Sequence, residues 1–149
     1  MLHKYVKYQK EFHRWLKQED ILAGSCKEWM LMQYPKVIWW HTPNEGKRTP
    51  FEQYQNLVVG SVSGIADWIS PEPRMGYNGL VIEMKVVYAN GSKNYLTAAQ
   101  KEFLADMRRC NMITAVIYNL EDFQELINWY FQPNPFKLPT PTPKIVIIS

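Results

Sequence analysis

Asp67, Glu83 and Lys85 are the residues of this chain whose types and spacing could do chemistry. The stretch "GLVIEMKVV", residues 79–87, reads as a buried strand, yet it carries a glutamate and a lysine two apart. Period-two alternation puts Leu80, Ile82, Met84 and Val86 on one face and Val81, Glu83, Lys85 and Val87 on the other. Burying a charge without compensation costs several kcal/mol, so Glu83 and Lys85 must pair, reach water at a cleft or meet a cation. A second short strand, "ADWIS", opens on Asp67 and fits antiparallel beside the first. Two carboxylates from adjacent strands can share an oxygen-seeking Mg²⁺ or Mn²⁺, and a lysine beside them can orient or deprotonate water attacking a phosphate. An internal salt bridge satisfies the same residues, and the spacing alone leaves both readings open.

The elements that must hold these residues are legible on either side. Leu22, Cys26, Trp29 and Met30 mark the inward face of a helix ending near Tyr34-Pro35. Glu19 lies one turn before Leu22, in line with that face, where a carboxylate is unusual; with Asp20 it also suits the first turn of a helix dipole. "VIWWH", residues 37–41, predicts a short strand, and "TPNEGKR" a polar loop. Thr49, Pro50 and Glu52 make a capping box, so a helix opens directly after Lys47 and Arg48. Two cations beside a helix N-terminus suit a phosphate, and solvated loop charge explains them equally simply. Thr97 caps a further helix with Gln100 as its capping-box partner; Phe103, Leu104 and Met107 face inward, and Arg108 and Arg109 fill the last turn. "MITAVIYN" is a strand, and Asn119 caps a last helix with Phe123, Leu126, Ile127 and Tyr130 on one face.

At 149 residues, 46% hydrophobic and 21% charged, the chain has the composition of one soluble globular domain. No apolar run approaches the ~18 residues of a membrane helix, and "MLHKYVKYQK" lacks the apolar block of a signal peptide, so a cytoplasmic protein without membrane attachment is expected. Cys26 and Cys110 are too isolated for a disulfide framework or a zinc site, and both read as core residues. Residues 1–18 hold five Lys/Arg against one Glu, whereas the remainder is nearly balanced. Tyr5, Tyr8, Phe12, Trp15 and Leu16 follow helical spacing within that basic arm, which suits either nucleic-acid phosphates or a docking helix with a solvated basic face.

"WWHTPNEGKRT", "GIAD", "GLVIEMK" and "LTAAQKEFLADMRRCNMITAVIYN", in that order and spacing, resemble the VRR-NUC family of the PD-(D/E)xK nuclease superfamily, over residues 19–131. The resemblance implies an α/β fold with a restriction-endonuclease-like αβββαβ core, a mixed sheet flanked by helices. It further implies a Mg²⁺- or Mn²⁺-dependent endonuclease that hydrolyses DNA phosphodiesters. Stand-alone members of phage and bacterial type, close to this chain in size, are associated with homodimers that cleave four-way junctions. The family's metal and catalytic positions fall on Glu19, Asp67, Glu83, Lys85 and Gln100, with the Met84 backbone carbonyl as a further ligand, and its loop residues on His41, Asn44, Glu45, Lys47 and Arg48. Ala66 stands where the family commonly has proline, and "EDILAG" lacks the glutamine that often follows the first-helix glutamate. A DNA-binding or assembly subunit that keeps the nuclease fold without turnover is the alternative. His41 suits substrate contact or a structural role equally.

Beyond Phe131 the resemblance stops. Five prolines between positions 133 and 143 predict a stiff spacer, and "KIVIIS" a terminal strand that would add to a sheet edge in its own chain or in a partner.

Overall fold

The computed structural model describes residues 9–43, 48–132 and 141–147. A five-stranded sheet in the order β1-β2-β3-β4-β5 organises the chain. Its strands are β1 (Trp40–His41), β2 (Trp68–Ser70), β3 (Leu80–Met84), β4 (Ile113–Ile117) and β5 (Val146–Ile147). Only β3 and β4 run parallel; the other neighbours are antiparallel. A parallel pair needs a crossover, supplied here by α4 (Ala98–Arg109).

Alternation along β3 divides the core as the sequence indicates. Leu80, Ile82 and Met84 pack with Cys26 and Met30 of α2 (Gln18–Gln33) and with Phe123, Leu126, Ile127 and Tyr130 of α5 (Leu120–Phe131). Val81 faces the other way, into a smaller cluster with Ala66, Ile69 and Leu104 of α4. Every residue of β3 is buried, because the central strand is covered on both faces. Glu83 and Lys85 therefore lie on the α4 side of the sheet, under one helix rather than in water.

Three elements are shorter than the sequence indicates. The first strand is confined to Trp40–His41: upstream, the Ile38 carbonyl accepts from Ser70 Oγ and the Ile38 amide donates to the Glu72 carboxylate, so side chains replace the ladder. The second begins at Trp68, although the Asp67 carbonyl still accepts from the Thr42 amide at 2.8 Å. The third ends at Met84, after which the Lys85 amide bonds to the Ile117 carbonyl and the chain enters a hairpin closed by a Val87–Lys93 bridge.

Cys26 is buried, but Cys110 is exposed, which corrects its reading as a core residue. It is the residue after α4, where the chain turns through Asn111 at φ 61° and carries the thiol outward. In the basic arm, residues 1–8 lie outside the described residues. The described part is one short helix, α1 (Gln9–His13), and leaves Phe12 and Trp15 exposed.

The terminal segment adds to the sheet of its own chain. Val146 pairs with Ala115 and Ile147 with Thr114, and Val146 packs into the larger core cluster. Deleting residues 133–149 uncovers the β4 edge and an apolar strip beneath it. The truncated chain should melt several degrees lower and form larger species in light scattering; unchanged melting and unchanged mass would show that β5 contributes nothing.

Candidate active site

Asp67 reaches its position through a tight approach of two segments. Gly64, at φ 75°, lies so close to α4 that an added Cβ would stand 2.5 Å from the Ala99 carbonyl carbon. Glycine there lets the loop before β2 lie on the start of α4, next to Gln100. The Asp67 carboxylate then accepts from the Met84 backbone amide at 2.8 Å, joining the end of β3 to the start of β2.

Gln100 ties the next two residues together. Its Nε2 donates to Glu83 Oε1 at 2.7 Å, and its Oε1 accepts from Lys85 Nζ at 3.0 Å. The same Oε1 accepts from the Thr97 amide at 2.9 Å, so the capping box of α4 also fixes the orientation of the site amide. Lys85 Nζ stands 3.6 Å from Glu83 Oε1, a buried and loose ion pair.

The second Glu83 oxygen, Oε2, is buried without a hydrogen-bond partner. Burial and then the neighbouring Asp67 charge push the Glu83 carboxyl up to about 8, against the opposing pull of Lys85. The ion pair with Lys85 is made through Oε1, so it does not account for Oε2 or offset the neighbouring Asp67 charge. Hard oxygen donors from Asp67 and Glu83, one of them unsatisfied, fit a divalent cation of the Mg²⁺ or Mn²⁺ type. Among the described residues there is no cluster of three or more His, Cys, Asp or Glu side chains placed to hold a metal.

A cleft of about 510 Å³ opens beside this group, with Asp67 and Gln100 in one wall and Thr42, Arg48, Asn56 and Ser61 around it. Glu83 and Lys85 lie behind that wall. The structure thus brings Asp67, Glu83, Lys85 and Gln100 together with the Met84 backbone, and sets Arg48 at the mouth. Glu19 is on α2, where its Oε1 accepts from Asn94 Nδ2 at 2.8 Å, and Asn94 Oδ1 in turn accepts from the Val86 amide next to Lys85. His41 is exposed on β1 opposite Trp68. Asn44, Glu45 and Lys47 lie outside the described residues.

Asn94 is the residue that sequence reasoning missed. Besides holding Glu19, its Oδ1 accepts from the Val86 amide at 3.2 Å, and its own amide donates to the Val86 carbonyl at 3.3 Å. In "NGSKN" it carries only turn chemistry, and its partner Glu19 is 75 residues away. Thr42, whose Oγ1 is buried without a partner at the cleft, was likewise unmarked.

No protein-family model matches the sequence, and neither does any curated protein. Among solved structures the chain is similar to a VRR_NUC domain protein, at 23% sequence identity and a TM-score of 0.63, over 78% of this chain and 90% of that one. The fold is therefore of the VRR_NUC type, a restriction-endonuclease-like α/β arrangement of a mixed sheet between helices. Among the described residues, no helix is long and apolar enough to cross a membrane.

Proposed function

We propose that this chain is a VRR-NUC nuclease of the stand-alone kind, a divalent-metal-dependent endonuclease acting on branched DNA. One observation carries the reading: the buried, unpartnered Glu83 Oε2 beside Asp67, with Lys85 and Gln100 locked against it. Asp67 and Glu83 would hold Mg²⁺ or Mn²⁺, which when bound supplies Lewis-acid charge at the scissile phosphate.

The chain's own side chains do the rest. Lys85, whose ammonium is held by Gln100 Oε1 beside Glu83, would orient the attacking water and stabilise negative charge developing on the phosphate. Gln100 prevents Lys85 and Glu83 from collapsing into a closer pair, since its amide occupies an oxygen of one and a proton of the other. Arg48 at the cleft mouth is placed to hold a flanking phosphate. In hydrolysis a water oxygen bonds to phosphorus, the bond from phosphorus to one sugar oxygen breaks, and that oxygen takes up a proton.

Two copies working together suit a four-way junction, because a two-fold axis presents two sites to two symmetry-related strands. The helix α3 (Pro50–Val59) provides a surface for the second copy: it has no buried residue, and Phe51, Tyr54, Leu57 and Val58 are all largely exposed.

Cleavage of end-labelled four-way junction, flap and linear duplex with Mg²⁺, Mn²⁺ or EDTA tests the activity. Metal-dependent cuts paired across the junction are the expected result. Cuts confined to flap or duplex move the substrate and keep the chemistry. Tight binding to all three DNAs with no cut in either metal would establish a DNA-binding or assembly subunit instead.

A further inference from the structure

The hairpin that leaves the candidate site carries charge and an aromatic ring that the reading above does not use. From Val86 to Lys101 the chain has Lys93 and Lys101 and neither Asp nor Glu. The Val87–Lys93 bridge sets which residues share a face: Lys85 and Val87 on the outgoing side, Lys93 and Tyr95 on the return. Tyr95 follows Lys93 on the return limb of this hairpin, two residues before the Thr97 cap that orients Gln100. It is 78% exposed, among the most exposed large side chains of the described residues.

The frame around this ring is fixed. Asn94 holds Val86 through side chain and backbone and is itself held by Glu19 of α2. The Lys93 ammonium lies 5.2 Å from the Tyr118 ring centroid, which keeps the cation on this face. A hydrogen-bonded base, a hairpin with lysines and no acid of its own, and an unused aromatic ring are what a nucleic-acid strand requires of a protein surface: cations for phosphate and a flat face for a base. In intact duplex the base faces are covered by stacking, so an aromatic ring can take a base only where the strand is unpaired.

We propose that Tyr95 stacks on an unpaired nucleotide next to the scissile phosphate, with Lys93 holding the adjoining phosphate, so that the protein prefers DNA with an open base beside the cut. This rests on the nuclease reading for the position of the cut, but its binding signature does not depend on turnover.

Fluorescence anisotropy in EDTA with the full chain compares a duplex, the same duplex with one unpaired nucleotide, and a flap. Wild type should bind the two DNAs with unpaired bases about tenfold more tightly than duplex, within the range of one base–aromatic stack. Tyr95→Ala should lose that preference while holding duplex affinity, and Tyr95→Phe and Tyr95→Trp should keep it, since stacking needs the ring and not the hydroxyl. Lys93→Gln should weaken all three DNAs alike and lower the slope of binding against log salt by about one. An alanine variant that retains the preference, a phenylalanine variant that loses it, or a wild type that shows none or binds no DNA overturns the proposal. If the preference behaves as described but no DNA is cut with metal, the nuclease reading fails and this one stands.

Discussion

Glu83→Gln should abolish cleavage, by at least about a hundredfold, while leaving the metal-free protein at least as stable at pH 6–7 as wild type. The two effects separate because a carboxyl pushed up to about 8 is largely protonated there, and glutamine has the same shape with no charge to bury. Its Oε1 can still accept from Gln100 Nε2. The pH dependence has a definite sign. Folding raises the Glu83 value from its ordinary 4.5, so its contribution to stability is fully present below pH 4.5 and is lost as pH rises through about 8. Metal-free wild type should therefore melt at progressively lower temperature across that window, and the glutamine variant should be flatter, close to wild type near pH 4.5 and above it at pH 7 and 9. A divalent cation should raise the melting temperature of wild type and leave the variant unmoved. Thermal melts at pH 5, 7 and 9 with and without Mg²⁺ check this. If Glu83 instead serves only to pair with Lys85, the substitution breaks a buried ion pair, costs about 3–5 kcal/mol at pH 7, and metal changes neither protein.

The site was legible where a local rule was broken for a reason. Alternation within residues 80–87 sufficed to put Glu83 and Lys85 on one face, because strand geometry has a period of two, and the Pro- and Gly-rich turn "PEPRMGYNG" between β2 and β3 to bring Asp67 beside them. Capping chemistry likewise identified Thr49, Thr97 and Asn119 as helix starts, and all three side chains accept the expected backbone amides. Gln100 was readable only by halves: one oxygen serves the cap and Lys85 together, and a sequence offers no means of seeing a shared acceptor. Glu19 was readable as an odd inward-facing acid, but its bond to Asn94 depends on how a hairpin approaches α2 across the end of the sheet. The length of β1 was hidden because Ser70 and Glu72 take over main-chain groups that strand pairing would otherwise use. Cys110 was misread because burial at the end of a helix depends on which way the next turn leaves, and Asn111 turns it outward.

On the dimer proposed above, Leu57→Asp should leave a monomer without harming the fold of the chain. Leu57 is 78% exposed, and α3 has no buried residue, so a carboxylate there costs the single chain nothing by desolvation. A helix usually exists to bury one face, and here Phe51, Tyr54, Leu57 and Val58 stay exposed among the described residues. Val59 and Val62 are exposed as well, so the helix and the segment after it present several large apolar side chains to solvent. Residues 49–66 contain one charge, Glu52, which is engaged in its capping box, so the surface offers nothing to phosphate and is neutral enough to meet its own copy. Because α3 and the segment after it also line the cleft, pairing there would set the two sites at a fixed separation on opposite sides of the axis. Light scattering should give wild type at twice the 17.6 kDa chain mass and the variant at once that mass, with matching circular dichroism. On a junction the variant should still nick single strands but lose the pairing of cuts across the branch. A variant that stays dimeric moves the interface away from α3, and a wild type that is monomeric at tens of micromolar removes the dimer from the mechanism.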